Sequence, residues 1–218
     1  MLRLSSGDRV RVFNGRGAEF EAVVETANRE AVGLTIGPPC TPAPEPRVAI
    51  TLAQAVLKGD KMDDVVRDAV MIGVAAIQPM LTARSESSIA ALARGRRRER
   101  WERIAVSSAK QCGRAVVPAI AEPRQFIDSA RSSSLHFPAP VFTLVEPNAS
   151  AGMALINVEP TIPPRATLVI GPEGGWTAEE LQAAAALGTL VTLGQRTLRA
   201  DAMAIVALSA MFARWGEF

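Results

Sequence analysis

Histidine and cysteine are nearly absent from this chain, which holds one histidine, His136, and two cysteines, Cys40 and Cys112, in 218 residues. One histidine excludes a multi-histidine metal site within a single chain. A Ser-His-Asp triad would have to use His136, which falls in a Ser/Pro-rich loop. The cysteines are far apart and have no Cys-x-x-Cys neighbours. That argues against a zinc site and a disulfide framework, and it fits a reducing compartment. No apolar run reaches the roughly 18 residues of a membrane span, and the N-terminus lacks the apolar stretch of a secretory signal. The expectation is a soluble, cytoplasmic protein with no membrane partner and no metal. The net charge of +2 says little about partners, so the placement of charge matters more.

Hydrophobic residues make up 48% of the chain, enough for the core of one medium domain or a domain with a small appendage. Residues 1–36 alternate as β-structure does. Arg9-Val10-Arg11-Val12-Phe13 leads into the turn signal Asn14-Gly15-Arg16-Gly17, and strands are predicted at 20–24 and 31–36. Three short strands bury little, so this is a small barrel-like module or part of one. Residues 38–46 carry five prolines and read as an extended linker. Beyond it strands and helices alternate: strands at 48–52, 75–80, 141–145, 166–170 and 190–193, and helices at 61–72 (ending at Gly73), 89–112 (interrupted at Gly95), 123–132 and 201–215. This order predicts an α/β fold with helices on both faces of a sheet. The last helix is apolar on every side and is predicted to be buried all round, either as a central core helix or shared between core and dimer interface.

Two segments carry the chemistry. Leu168-Val169-Ile170-Gly171-Pro172-Glu173-Gly174-Gly175-Trp176-Thr177 is an apolar strand, a glycine turn and a helix start, with Thr177 as cap and Glu179 and Glu180 in the first turn. Leu190-Val191-Thr192-Leu193-Gly194-Gln195-Arg196-Thr197-Leu198-Arg199 repeats the strand-glycine-helix order. Glycine at two strand exits suits a ligand held at one end of a parallel sheet. A tight turn required only by topology accounts for the same spacing. Glu173 inside the first turn disfavours phosphate and admits a cationic or neutral ligand. Neither a Walker A lysine nor a complete dinucleotide fingerprint is present. Arg196, Arg199 and Asp201 surround the second exit, where they would bind an anion and move a proton; Asp201 reads equally as a helix cap. Arg94, Arg96, Arg97, Arg98, Arg100 and Arg103 form a basic run interrupted by Glu99 and Glu102. The run is either a solvated helix face with internal ion pairs or a polyanion-binding surface extended by Gln111 and Arg114.

Four segments, taken in order, resemble the bacterial 16S ribosomal RNA (uracil-N3)-methyltransferases of RsmE type, in the SPOUT class. They are Leu57-Lys58-Gly59-Asp60-Lys61-Met62 with Ile72-Gly73-Val74; Ile104-Ala105 through Gln111-Cys112-Gly113-Arg114; Ile170-Gly171-Pro172-Glu173-Gly174-Gly175; and Leu193-Gly194-Gln195-Arg196-Thr197-Leu198-Arg199. The resemblance implies a PUA-like, RNA-binding β-barrel over residues 1–37, apparently shortened, then the 38–46 linker and a trefoil-knotted methyltransferase domain over 47–218. It implies a homodimer that binds S-adenosylmethionine and acts on 16S ribosomal RNA or the small ribosomal subunit. Leu144, Gly171, Glu173, Gly174, Gly175, Leu193, Gly194 and Leu198 would hold the cofactor, with Glu173 near the cationic sulfonium. Arg199 would stabilise a uracilate anion and Asp201 would take its proton. Arg97, Arg98, Gln111, Arg114 and Arg196 would hold RNA. Departures occur at Asp68, Met71, Lys110 and Ala200-Asp201-Ala202-Met203, where the family carries other residues. They leave room for two alternatives: a relative that binds RNA without methylating it, and methylation at another RNA position.

Overall fold

The computed structural model describes residues 4–131, 137–148 and 152–218; His136 lies outside them. The chain divides into two compact units, Met1–Glu45 with Ala109–Val117, and Pro46–Ser108 with Pro118–Phe218.

In the smaller unit, β1 (Arg9–Phe13), β2 (Glu19–Ala27) and β3 (Val32–Cys40) form an antiparallel sheet in that order. The expected turn joins β1 to β2. Asn14 Oδ1 accepts from the amides of Arg16 at 2.7 Å and Ala18 at 3.1 Å. Ala22 and Val24 are buried on one side of β2. β3 runs on through Pro38, Pro39 and Cys40, residues the sequence assigned to the linker. Proline is tolerated there because β3 is an edge strand, where a missing N–H breaks no ladder. Residues 109–117 also belong to this unit: Gly17 N donates to Ala115 O at 3.0 Å and Val117 N to Gly15 O at 3.0 Å.

The larger unit is the predicted α/β fold. Its elements are β4 (Ala49–Ala55), α1 (Lys61–Ile72), β5 (Ala76–Leu81), α2 (Ile89–Arg94), the start of α3 (Arg97–Cys112), β6 (Ala119–Ile120), β7 (Arg124–Gln125), α4 (Phe126–Arg131), β8 (Val141–Leu144), β9 (Met153–Ala154), β10 (Arg165–Ile170), α5 (Ala178–Leu187), β11 (Thr189–Thr192) and α6 (Ala200–Arg214). The sheet order is β6-β5-β4-β10-β8-β11-β9, with β7 also on β5, and every pairing is parallel. Parallel strands covered on both faces read as continuous apolar runs, which is why Leu168, Val169 and Ile170 are all buried.

Local signals set the helices. Val65, Val66, Ala69 and Val70 give α1 a buried stripe, and the helix stops at Gly73, whose φ of 114° is left-handed. A Cβ at Gly73 would lie 2.7 Å from Pro46. The long 89–112 helix is broken into α2 and α3 at Gly95 and Arg96, the latter at φ 48°. On one face of the sheet Phe126, Phe137, Val141, Val145, Val169 and Ala184 pack with Trp176 and Leu181. Each large side chain buried this way contributes roughly 1.5–3 kcal/mol. On the other face α1 packs against α6. α6 is not buried all round. Ala204, Ala207, Leu208, Met211 and Phe212 face the core, but Val206 is 41% exposed and Ile205 and Ala210 are half-buried. No helix among the described residues is long and apolar enough to cross a membrane.

Candidate functional site

The strand order creates the site. β8 lies between β10 and β11, so the two glycine-bearing exits stand on either side of one strand end. Open parallel sheets bind ligands at such carboxyl ends. A cavity of about 330 Å³ opens there. Its walls are Leu144 to Pro147 after β8, Ile170 to Glu173 and Trp176 after β10, Thr197 to Ala200 with Met203 around the start of α6, and Lys61 at the start of α1.

The turn after β10 is held from several directions. Trp176 Nε1 donates to Leu144 O at 2.9 Å, and its ring packs on Phe126 with centroids 5.0 Å apart. That indole covers Gly171 so closely that a Cβ there would lie 2.8 Å from the ring, which is why position 171 takes glycine. Lys61 Nζ donates to Glu173 Oε1 at 2.9 Å. Arg84 Nη1 donates to Gly174 O at 2.6 Å. Thr177 caps α5 as predicted. Its Oγ accepts from Glu180 N at 3.2 Å, and Glu180 Oε2 accepts from Thr177 N at 2.9 Å. The buried Glu180 also accepts from Ala83 N at 2.8 Å, which ties the loop after β5 to the same helix.

Glu173 therefore has a cation already. Burial works against its ionisation, but the Lys61 ammonium and backbone N–H groups outweigh this and hold the carboxyl below its usual range. Glu173, expected near the sulfonium, thus lies in the cavity wall already paired with Lys61. Glu146, by contrast, is an exposed cavity-wall carboxylate with no hydrogen bond or ion pair among the described residues.

The segment after β11 is barer. Gly194 sits at φ 68° with nothing near its Cα side-chain direction, and Gln195, Arg196 and Thr197 are exposed. Arg199 grips Asp201 with two hydrogen bonds, Nε to Oδ1 at 3.1 Å and Nη2 to Oδ2 at 2.6 Å. The guanidinium, helped by backbone N–H groups, holds the Asp201 carboxyl below its usual range. Asp201 does not cap α6. Arg199 occupies that position without a side-chain cap, and Asp201 lies in the first turn. Arg199 lines the cavity and Asp201 does not.

Of the residues expected at the cofactor, Leu144, Gly171, Glu173 and Leu198 line the cavity. Gly174 and Gly175 shape the turn behind it, and Leu193 and Gly194 lie outside the lining. Lys61, Arg84, Glu146 and Trp176 were missed. Lys61 stood in a segment already singled out, and Glu146 was visible as the first charge after the 141–145 run.

The arginine run divides. Arg97 pairs with Asp60 at 3.6 Å, and Arg98 with Glu102 at 2.9 Å and with Glu122. Arg96 pairs with Glu99, and Arg100 with Asp63, whose Oδ1 also accepts from Trp101 Nε1 at 3.1 Å. The ion-paired helix face is thus the better description of these residues. Arg114 is buried against Glu45, so it builds the smaller unit instead of facing a ligand. Gln111 and Arg196 are exposed.

Comparison with known proteins gives a consistent family. Residues 44–212 match the RNA methyltransferase domain and residues 2–36 the RNA methyltransferase PUA domain. The chain is 32% identical to a ribosomal RNA small subunit methyltransferase E of Synechocystis, over 96% of this chain and 67% of that protein. It is similar in structure to the ribosomal RNA small subunit methyltransferase E from Neisseria gonorrhoeae solved bound to S-adenosyl methionine, with a TM-score of 0.87 and 28% identity over 98% of this chain and 86% of that one. It is equally similar to a methyltransferase from Legionella pneumophila solved with bound SAM, with a TM-score of 0.86 and 30% identity over 97% and 85% of the two chains.

Proposed function

Because this chain belongs to the RNA methyltransferase family, in the group of the ribosomal RNA small subunit methyltransferases E, we propose that it methylates N3 of a uracil in 16S ribosomal RNA. The observation that carries this reading is the cavity between the two glycine exits with Arg199 in its wall. Its volume of about 330 Å³ falls within the usual range for small-ligand sites. Apolar walls from Leu144, Ile170, Leu198 and Met203 suit a nucleoside base, so the residues present fit S-adenosylmethionine. Leu144, Gly171 and Leu198 would hold it, with Gly174, Gly175, Leu193 and Gly194 shaping the loops around them. When bound, that cofactor supplies an electrophilic methyl group on a sulfonium.

Uracil N3 carries a proton at neutral pH, which must leave before or during attack. Arg199 is placed to stabilise the resulting anion. Asp201, held ionised by Arg199, is a weak base while that pair lasts. Rotation of Arg199 from Asp201 to the pyrimidine would serve the anion and free the carboxylate to take the proton. Arg196 and Gln111 are exposed and suit RNA contact; Arg97 and Arg98 pair with acidic residues at the surface, and Arg114 is buried against Glu45. The half-exposed apolar side of α6 (Ile205, Val206, Ala210) suits burial in a homodimer, and the knotted threading of the 47–218 domain belongs to the same reading. The place of action is the cytoplasm, where ribosomal subunits are built.

The test is transfer of labelled methyl from S-adenosylmethionine to small-subunit RNA lacking the modification, with 3-methyluridine identified after digestion. No incorporation by folded protein that binds S-adenosylhomocysteine would reject the activity. It would favour the second reading, an RNA-binding relative without turnover, which the Arg199–Asp201 pair supports by engaging both groups with each other.

A further inference from the structure

The carboxylates in and beside the cavity are not equivalent. Glu173 is neutralised by Lys61, and Asp201 by Arg199. Glu146 lines the cavity with no hydrogen bond or ion pair among the described residues; the Arg84 guanidinium, which also borders Gly175, donates to Gly174 O instead. A carboxylate in a ligand cavity with no partner among the described residues has acceptor capacity to spare.

Its place in the sheet says which part of a ligand it meets. Glu146 stands two residues beyond Leu144, the last residue of β8, and β8 is the strand between β10 and β11. A ligand that reaches both glycine exits must cross the end of β8 with its middle portion. In an adenosyl-amino-acid cofactor the base and the amino acid are the two ends, and the ribose is the middle. A ribose offers a vicinal pair of hydroxyl donors, which a carboxylate accepts with its two oxygens in charge-assisted hydrogen bonds. Gly175 contributes to the arrangement. It holds φ 70°, and a Cβ there would come 3.1 Å from Glu146 Oε1, so glycine leaves the carboxylate room to lie along the turn.

We propose that Glu146 is the ribose anchor of this site, accepting hydrogen bonds from the 2′- and 3′-hydroxyls of the cofactor. The proposal rests on the cofactor reading given above. It is tested by calorimetry of the full-length wild type, Glu146→Ala and Glu146→Gln with S-adenosylhomocysteine and with its 2′,3′-dideoxy analogue, alongside thermal unfolding of each unliganded protein. The expected result is about a tenfold or greater loss of S-adenosylhomocysteine affinity in Glu146→Ala, as suits a charge-assisted contact. Glu146→Gln should lie between it and the wild type. Wild type should lose a similar factor on the dideoxy ligand, for which Glu146→Ala should bring no further loss. Equal losses on both ligands would overturn the proposal by making the residue merely structural. Unchanged affinity with lost turnover would overturn it too, by making Glu146 a proton acceptor. If the wild type binds neither ligand, the cofactor reading itself fails.

Discussion

The turns that follow β10 and β11 share a sequence plan, a strand, a glycine and then a helix, yet they are built to different standards. The first is fixed by groups from three other segments: Lys61 on Glu173, the Leu144 carbonyl on Trp176, and the loop after β5, where Arg84 holds Gly174 and Ala83 meets Glu180 of the α5 cap. The second keeps Gln195, Arg196 and Thr197 exposed, and its one strong contact, Arg199 with Asp201, is internal. One wall of the cavity is thus set before any ligand arrives, while the other keeps a polar pair free to reorganise. Preorganisation lowers the cost of binding on the first side. Freedom on the second allows a side chain to change partner when substrate is present.

The sharpest way to break this contrast is at Arg199. Arg199→Ala is expected to lower kcat by about 100-fold or more, the usual scale for loss of a donor to a developing anion. RNA affinity, measured by filter binding, should change little. Equal losses in turnover and RNA affinity would make Arg199 a phosphate clamp and not a group specific to the reaction. The next effect belongs to the fixed wall. Gly171→Ala places a methyl group 2.8 Å from the Trp176 ring. Overpacking of this kind costs about 1–3 kcal/mol, which calorimetric scanning should register as a Tm lower by several degrees, together with weaker S-adenosylhomocysteine binding. An unchanged Tm would show that the indole is free to move and that this wall is not preset.

What could be read from the sequence followed the range of each signal. The helix Lys61–Ile72, its stop at Gly73 and the Thr177 cap were legible because all depend on residues within a turn or two. So were the two glycine exits. The partners of the arginines were not, because Asp60, Asp63, Glu122 and Glu45 reach them across the fold. A run of positive charge in sequence therefore overstated the positive surface. Glu146 was missed for a similar reason. A charge after a strand is ordinary, and it becomes a candidate only when the sheet order sets that strand between the two glycine exits. The all-round apolarity of α6 was read correctly as composition but incorrectly as burial, since one side stays partly open in a single chain.

Smaller perturbations sharpen the comparison further. Gly194 meets nothing within 4 Å and holds φ 68°, so Gly194→Ala carries backbone strain without a clash. A left-handed residue with a Cβ costs about 1 kcal/mol, and the loose second turn can relax part of it. Its Tm should fall less than that of Gly171→Ala. The reverse ranking, read in the same scanning experiment, would mean that the second turn is the more rigid of the two.

The smallest expected effect lies at Lys61. Both partners of the Lys61–Glu173 pair are more than one-third exposed, so solvent screening limits the pair to well under about 1 kcal/mol. Its signature is a pH dependence. Glu173 has a folded-state pKa held below the ordinary value, chiefly by Lys61 against the opposing effect of burial. Its contribution to stability is therefore complete above the unfolded glutamate pKa of about 4.3 and is lost as pH falls through the lower folded value. Lys61→Met removes the ammonium but leaves Glu173 partly desolvated, so the variant should be slightly less stable than the wild type at neutral pH and should approach it on acidification. Tm measured from pH 7 down to pH 3 should show the two curves converging below about pH 4. Parallel curves across that range would mean that Lys61 does not hold Glu173 in solution, and the fixed wall would then rest on Arg84, Trp176 and the α5 cap alone.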